Sequence, residues 1–206
     1  MYWINLFGSM RWHSPFIYML ILGMAGLLSC SRPDPRVLIR TGMGDITVEL
    51  YPGKAPVTAG NFLAHVENGD YTNSMFYRVV RMDNQPDNPV RIQVIQGGLF
   101  YDEVVDTITP IIHETTQETG IRHTDGVISM ARNEPGSAST EFFICIGDQP
   151  SLDYGGNRNP DLQGFAAFGK VIGGMDVVRA IQSLPDEGQY LPEPVPIRDI
   201  TVIPSR

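Results

Sequence analysis

The sequence predicts an all-β domain behind an N-terminal targeting segment. Short apolar and β-branched runs recur along most of the chain, several with strict alternation. Gly, Pro, Asn and Asp cluster between them; 21 glycines and 16 prolines in 206 residues are enough to punctuate a many-stranded fold. Only two long segments carry helical spacing. Many short strands with two helices suggest a barrel or a sandwich, and periodicity does not choose between the two.

Residues 1–29 read as a signal peptide and are set aside from the fold. Arg11 precedes the apolar run Phe16–Leu28, and Leu27-Leu28-Ser29-Cys30 resembles a bacterial lipobox, with Cys30 as the lipidated residue. A transmembrane anchor is the other reading, but the run is short of the ~20 residues a span needs. Met10, just before Arg11, offers an alternative start with a more compact leader. Residues 30–36, with two prolines, form a lipidated cysteine and tether. Residues 37–206 are then the folded domain, large enough for one core.

The elements follow in order. Val37–Arg40 and Ile46–Tyr51 read as strands joined by a turn at Met43-Gly44-Asp45. Ile46, Val48 and Leu50 alternate with Thr47 and Glu49, so one face of the second strand is buried. Ala55-Pro56 opens a helix that presents Phe62, Leu63 and Val66 inward and stops at Gly69. Phe76–Val80 and Ile92–Ile95 are strands, separated by the Pro- and Asp-containing stretch Arg81–Arg91. Tyr101–Gly120 reads as loop with short irregular structure. Val127–Ala131 and Phe142–Ile146 flank a Gly/Pro/Ser stretch as two strands and a loop. Asp153–Gln163 is a second long loop, and Phe168–Ile172 a strand. Met175–Ser183 is a helix with Val177, Val178 and Ile181 inward. Pro185–Pro196 is a proline-rich connection to the last strand, Ile197–Ile203.

The formal charge is −8, and removing the leader, which holds Arg11 and no acid, makes it more negative. That argues against nucleic acid as a partner. With Cys30 in the lipobox, Cys145 is a lone cysteine in an apolar strand and reads as a small buried residue. Neither a disulfide framework nor a metal-ligand cluster follows. His123, before a turn, is expected to make a structural hydrogen bond.

Three motifs, in this order and spacing, carry a resemblance: Phe76-Tyr77-Arg78-Val79-Val80, Gln96-Gly97-Gly98, and Gly126–Ile146. Together they resemble the signature of the cyclophilins, the peptidyl-prolyl cis-trans isomerases, over roughly Val37 to Val202. The resemblance implies a closed eight-stranded antiparallel barrel capped by two α-helices. Its interior is filled, as eight strands dictate, and its active surface is an external groove. No cofactor and no metal are implied. The expected partners are proline-containing polypeptides.

The resemblance also assigns roles. Arg78 matches the catalytic arginine and Gln96 the glutamine that positions it and the substrate backbone. Phe143 matches the floor of the proline pocket, Leu152 an apolar wall, and Ala131 a small groove residue; Phe76 is placed among the substrate-binding residues as well. Departures fall at four places. Glu141 stands where the family has Gln, and is expected to pair with Arg78 and compete with substrate; on that expectation Glu141→Gln raises kcat/KM. Gln93 and Val94 replace a groove Phe and Met, which predicts a shallower, more polar pocket. Phe165 takes the position of a pocket histidine. Ser151 replaces the tryptophan that many members use for cyclosporin, so weak cyclosporin binding is expected. The alternative to an isomerase is a cyclophilin-like binding module or chaperone with weak or no turnover. Ser31 after Cys30 lacks the aspartate that retains lipoproteins at an inner membrane, which points to an outer membrane facing the periplasm.

Overall fold

The computed structural model describes residues 33–204, except for the Asp102 side chain. The lipobox, Cys30 and Ser31 lie outside the described residues. Eight strands form one closed sheet: β1 (Arg36–Thr41), β2 (Gly44–Leu50), β3 (Ser74–Val80), β4 (Val94–Gly98), β5 (Val127–Met130), β6 (Phe142–Cys145), β7 (Ala166–Gly173) and β8 (Tyr190–Ile203). Around the barrel they run β1-β2-β7-β5-β6-β4-β3-β8, every pair antiparallel, with β8 closing onto β1. Arg36, assigned to the tether from sequence, already belongs to β1 and pairs with Glu49 of β2 at 2.9 Å.

Alternation explains the inner wall. Ile46, Val48 and Leu50 of β2, and Val37 and Ile39 of β1, are wholly buried. Helix α1 (Pro56–Asn68) drives Phe62 into the barrel, where Tyr71, Phe142 and Phe168 surround it at ring-centroid distances of 5.1 to 5.5 Å. Each such ring contributes about 2–3 kcal/mol by leaving water. These rings fill the interior, so the barrel encloses no ligand. Pro56 pre-sets the first turn of α1. The Glu114 carboxylate accepts from the backbone N–H groups of Val57 and Thr58 at 3.2 and 2.7 Å, an N-cap delivered from a distant loop. Gly69 ends the helix in the left-handed region at φ 78°.

Two one-turn helices, α2 (Asp102–Val105) and α3 (Thr116–Thr119), occupy the segment read as loop; Thr115 and Glu118 cap α3 reciprocally. Helix α4 (Met175–Gln182) buries Val178 and Ile181. Among the described residues the barrel therefore carries four α-helices, of which the two longer ones are those expected. The last strand begins earlier than predicted. Tyr190–Pro196 is strand despite its prolines, because β3 pairs with it through Met75–Pro196, Phe76–Val195 and Arg78–Tyr190. Likewise β4 is shifted toward Gly98, and Ile92 and Gln93 precede it.

Candidate active site

The outer face of β3, β4, β6 and β5 carries one transverse row of partners. Arg78 stands opposite Gln96, Gln96 opposite Phe143, and Phe143 opposite Ser129. A bulge makes the row possible. Phe76 pairs with Gly97 and Arg78 with Gln96, so Tyr77 is an extra residue in β3. Phe76 consequently points inward while Tyr77 and Arg78 both line the outer groove. This corrects the placement of Phe76: it is fully buried and packs edge-on against Phe142 at 5.8 Å inside the barrel.

The groove is a cavity of about 780 Å³. Its floor is a second apolar cluster, outside the barrel, built from Val80, Ile92, Val94, Phe143, Cys145 and Leu152, with Ala131 and Phe165 packed against it. Phe165 stands at 90° to the Phe143 ring, centroids 5.3 Å apart, and the Arg132 guanidinium lies over Phe165. Val94, Ala131, Phe143, Leu152 and Phe165 thus converge as the sequence implied. Gln93 does not reach the cavity. Ile92 lines it instead, so that one position is apolar where a polar side chain was expected. Ile92 sits just outside β4, where a two-residue alternation no longer predicts which side chain faces the groove.

Arg78 Nη1 donates to Gln96 Oε1 at 2.9 Å, and its Nε and Nη2 donate to Gln189 Oε1 at 3.1 and 2.5 Å. Gln189 was not foreseen; it lies in the connection before β8, where no residue pattern marks it. Gln96 Nε2 donates to the Tyr77 hydroxyl at 2.7 Å, and that hydroxyl donates to Glu141 Oε2 at 2.5 Å. Glu141 Oε1 accepts from the Leu99 N–H at 2.6 Å and the Phe100 N–H at 3.3 Å. The expected Glu141–Arg78 pair is therefore absent among the described residues. Glu141 acts three hydrogen bonds away, through Tyr77 and Gln96. Gly98 makes this possible: at φ +149°, a Cβ there would lie 2.3 Å from the Glu141 carboxylate.

Burial pushes the Glu141 carboxyl above its usual range, while bonds from Tyr77, Phe100 and Leu99 counteract the shift. Burial first, and the Glu141 charge second, push the Tyr77 phenol far up, so Tyr77 keeps its proton and donates it. The orientation of the Gln96 amide follows: nitrogen toward Tyr77, oxygen toward Arg78.

Beneath the floor, His123 Nδ1 donates to Asp153 Oδ1 at 2.8 Å and Nε2 accepts from Ser129 Oγ at 3.0 Å. The order Asp–His–Ser invites a hydrolase reading, but Ser129 and His123 are buried and neither lines the cavity. The array is a tie, as expected for His123. Its ring stacks on Phe143 at 6.0 Å, and Asp153 adjoins Leu152, so it fixes floor and wall together. Cys145 is fully buried as expected, its thiol pKa raised by burial. Among the described residues no cluster of His, Cys, Asp or Glu could hold a metal ion, and no helix is long and apolar enough to cross a membrane.

Comparison with known proteins places this geometry. Residues 36–202 match the family described as cyclophilin type peptidyl-prolyl cis-trans isomerase/CLD. The chain is 32% identical to a peptidyl-prolyl cis-trans isomerase of Acinetobacter baylyi over 89% of its own length and 91% of that protein's. It is 31% identical to peptidyl-prolyl cis-trans isomerase B of Escherichia coli, covering 81% and 95% of the two chains. The fold matches a cyclophilin type isomerase of Cryptosporidium parvum crystallised in the presence of the dipeptide Ala-Pro, with TM-score 0.65 and 23% identity, covering 82% of this chain and 99% of that one. The chain belongs to the cyclophilin-type peptidyl-prolyl cis-trans isomerases. It is an isomerase, and X-Pro bonds are its chemistry.

Proposed function

We propose that the groove binds proline-containing segments of client proteins and that Arg78 catalyses rotation about the X-Pro bond, assisting folding in the cell envelope. The bond resists rotation because amide resonance must be broken, at about 18–20 kcal/mol. A donor aimed at the proline nitrogen localises its lone pair and weakens that resonance. The observation that carries the reading is the Arg78–Gln96 pair beside an apolar floor. The guanidinium stays charged and is held by neutral amides, Gln96 and Gln189, and among the described residues no acid pairs with it. Val94, Ile92, Phe143, Leu152 and Phe165 supply a trough for the pyrrolidine ring, and Ala131 leaves room for the client backbone. Rate comes from binding the twisted peptide more tightly than either planar form.

The lipobox at Leu27–Cys30 supports attachment to a membrane through lipid on Cys30, and Ser31 supports the outer membrane facing the periplasm. Globomycin treatment, which blocks lipoprotein signal cleavage, tests the attachment: accumulation of the uncleaved precursor is expected, and unaltered processing contradicts it. Ser151 offers no indole for cyclosporin, so inhibition is weak; stoichiometric inhibition at nanomolar enzyme contradicts that. The isomerase role itself is tested with X-Pro peptides. Arg78→Ala removes the rate while leaving the melting temperature unchanged. Folded wild-type protein that binds the peptides without accelerating them is instead a binding module.

A further inference from the structure

Arg158 is a groove residue to which isomerisation assigns no role. It stands in the long loop after the 3-10 turn Pro150–Leu152, and it lines the same cavity as Arg78, Ile92 and Val94. Its Nη1 donates to Gln85 Oε1 at 3.0 Å and to the Val90 carbonyl at 2.5 Å. These bonds tie the 153–165 loop to the 81–91 loop, so the two segments hold each other. Gln85 is itself buried and bonded to the backbone of Arg81 and Ile92. The guanidinium is therefore held in place.

Its acceptors are uncharged, and among the described residues Arg158 makes no ion pair. Arg132 lines the cavity too, but meets both oxygens of Asp161 at 2.9 Å. Glu103 and Asp106 also line the cavity, and neither is paired with Arg158 or Arg78. Glu141 is engaged by Tyr77 and two backbone N–H groups. Two cations thus face one groove, and among the described residues neither is paired with a carboxylate. Burial, and then the charge of Arg78, lower the pKa of Arg158 from its ordinary value.

We propose that Arg158, beside Arg78, forms a subsite for a client carboxylate, leaving Arg78 to the proline nitrogen, so that the protein prefers Asp or Glu next to the isomerised proline. This rests on the isomerase reading of the groove. A carboxylate accepts from the guanidinium fork and relieves the mutual repulsion of the two arginines. The net negative charge of the chain opposes acidic clients at long range, so the preference is local and sensitive to salt.

The test uses the purified full-length protein and peptides in which Glu, Ala or Lys directly precedes or follows proline. The Glu peptide of one flank is expected to exceed its Ala counterpart in kcat/KM by about three- to five-fold at low ionic strength, falling toward one at high salt. The ratio within each variant is the readout, because loss of the Gln85 tie slows all peptides alike. Arg158→Gln abolishes the ratio, and Arg158→Glu transfers the advantage to Lys. Equal Glu and Ala rates in the wild type, or a preference that survives Arg158→Gln, overturns the proposal. If no peptide is turned over, the isomerase reading fails, and the subsite is then judged by the same Glu/Ala ratio in peptide affinities.

Discussion

Replacing Glu141 by Gln slows the enzyme, the reverse of what direct pairing with Arg78 would give. The carboxylate accepts the Tyr77 hydroxyl at 2.5 Å on one oxygen and the Leu99 N–H at 2.6 Å on the other. A glutamine has one acceptor oxygen. With that oxygen toward Leu99, the amide NH₂ faces Tyr77, whose oxygen already accepts from Gln96. The Tyr77 proton then needs a new acceptor, and the nearest in this chain of bonds is Gln96 Oε1, which holds Arg78. A charge-assisted bond of about 1.5–3 kcal/mol is lost, partly offset by relief of a buried charge. The net cost is about 1 kcal/mol, or roughly 2–4 °C in melting temperature for a domain this size. Competition for Gln96 costs a further 1–1.5 kcal/mol or so in the transition state, roughly five- to ten-fold in kcat/KM. The assay is cis-to-trans isomerisation of an Ala-Pro peptide, beside Tyr77→Phe, which loses the same relay and falls in the same direction. A folded Glu141→Gln protein with equal or higher kcat/KM refutes the reasoning.

Other expectations follow from single contacts. Gly98→Ala places a methyl against the Glu141 carboxylate at a positive φ, so it costs about 2–3 kcal/mol in chemical denaturation and lowers activity with it; a neutral change would contradict the geometry. His123 has its pKa lowered by burial despite its bond to Asp153, so it stays neutral in the fold while unfolded histidine protonates below about pH 6.5. Its contribution is complete above that pH and lost as pH falls, so melting temperature declines more steeply from pH 7 to 5 in wild type than in His123→Gln; parallel slopes would contradict this. Below about pH 4 a second decline is expected as Asp161, held down chiefly by Arg132, and Asp186, held down by Gln189, Asn84 and Arg81 against its burial, take up protons. Melting curves between pH 5 and 2.5 check it. Phe165→Ala removes the ring standing on Phe143 and raises KM about three- to ten-fold with little change in kcat; an unchanged KM removes Phe165 from the proline pocket.

The barrel was legible where one periodicity acts alone. Ile46, Val48 and Leu50 alternate and face the core, and Pro56 and Gly69 bound α1 as local chemistry dictates. Closure of the sheet was not in the periodicity; it came with the motif resemblance. Phe76 was misplaced because a bulge at Tyr77 shifts the face on which its neighbours lie, and a bulge is set by cross-strand pairing. Tyr190–Pro196 was missed as strand because prolines disfavour ladders, yet pairing with β3 prevails there. The partners of Glu141 were illegible for the same reason. Tyr77 and the adjacent pair Leu99 and Phe100 lie far from Glu141 in the chain, and only the fold brings their donors to one carboxylate.

The central claim is that Arg78, held by Gln96 and Gln189 beside the apolar floor, accelerates X-Pro rotation. The most direct test measures cis-to-trans rates with residues 31–206 across several X-Pro peptides, beside Arg78→Ala. A rate well above background that falls by about a hundred-fold or more in a folded Arg78→Ala protein is predicted. Acceleration that survives the substitution, or none in the wild type, would contradict it.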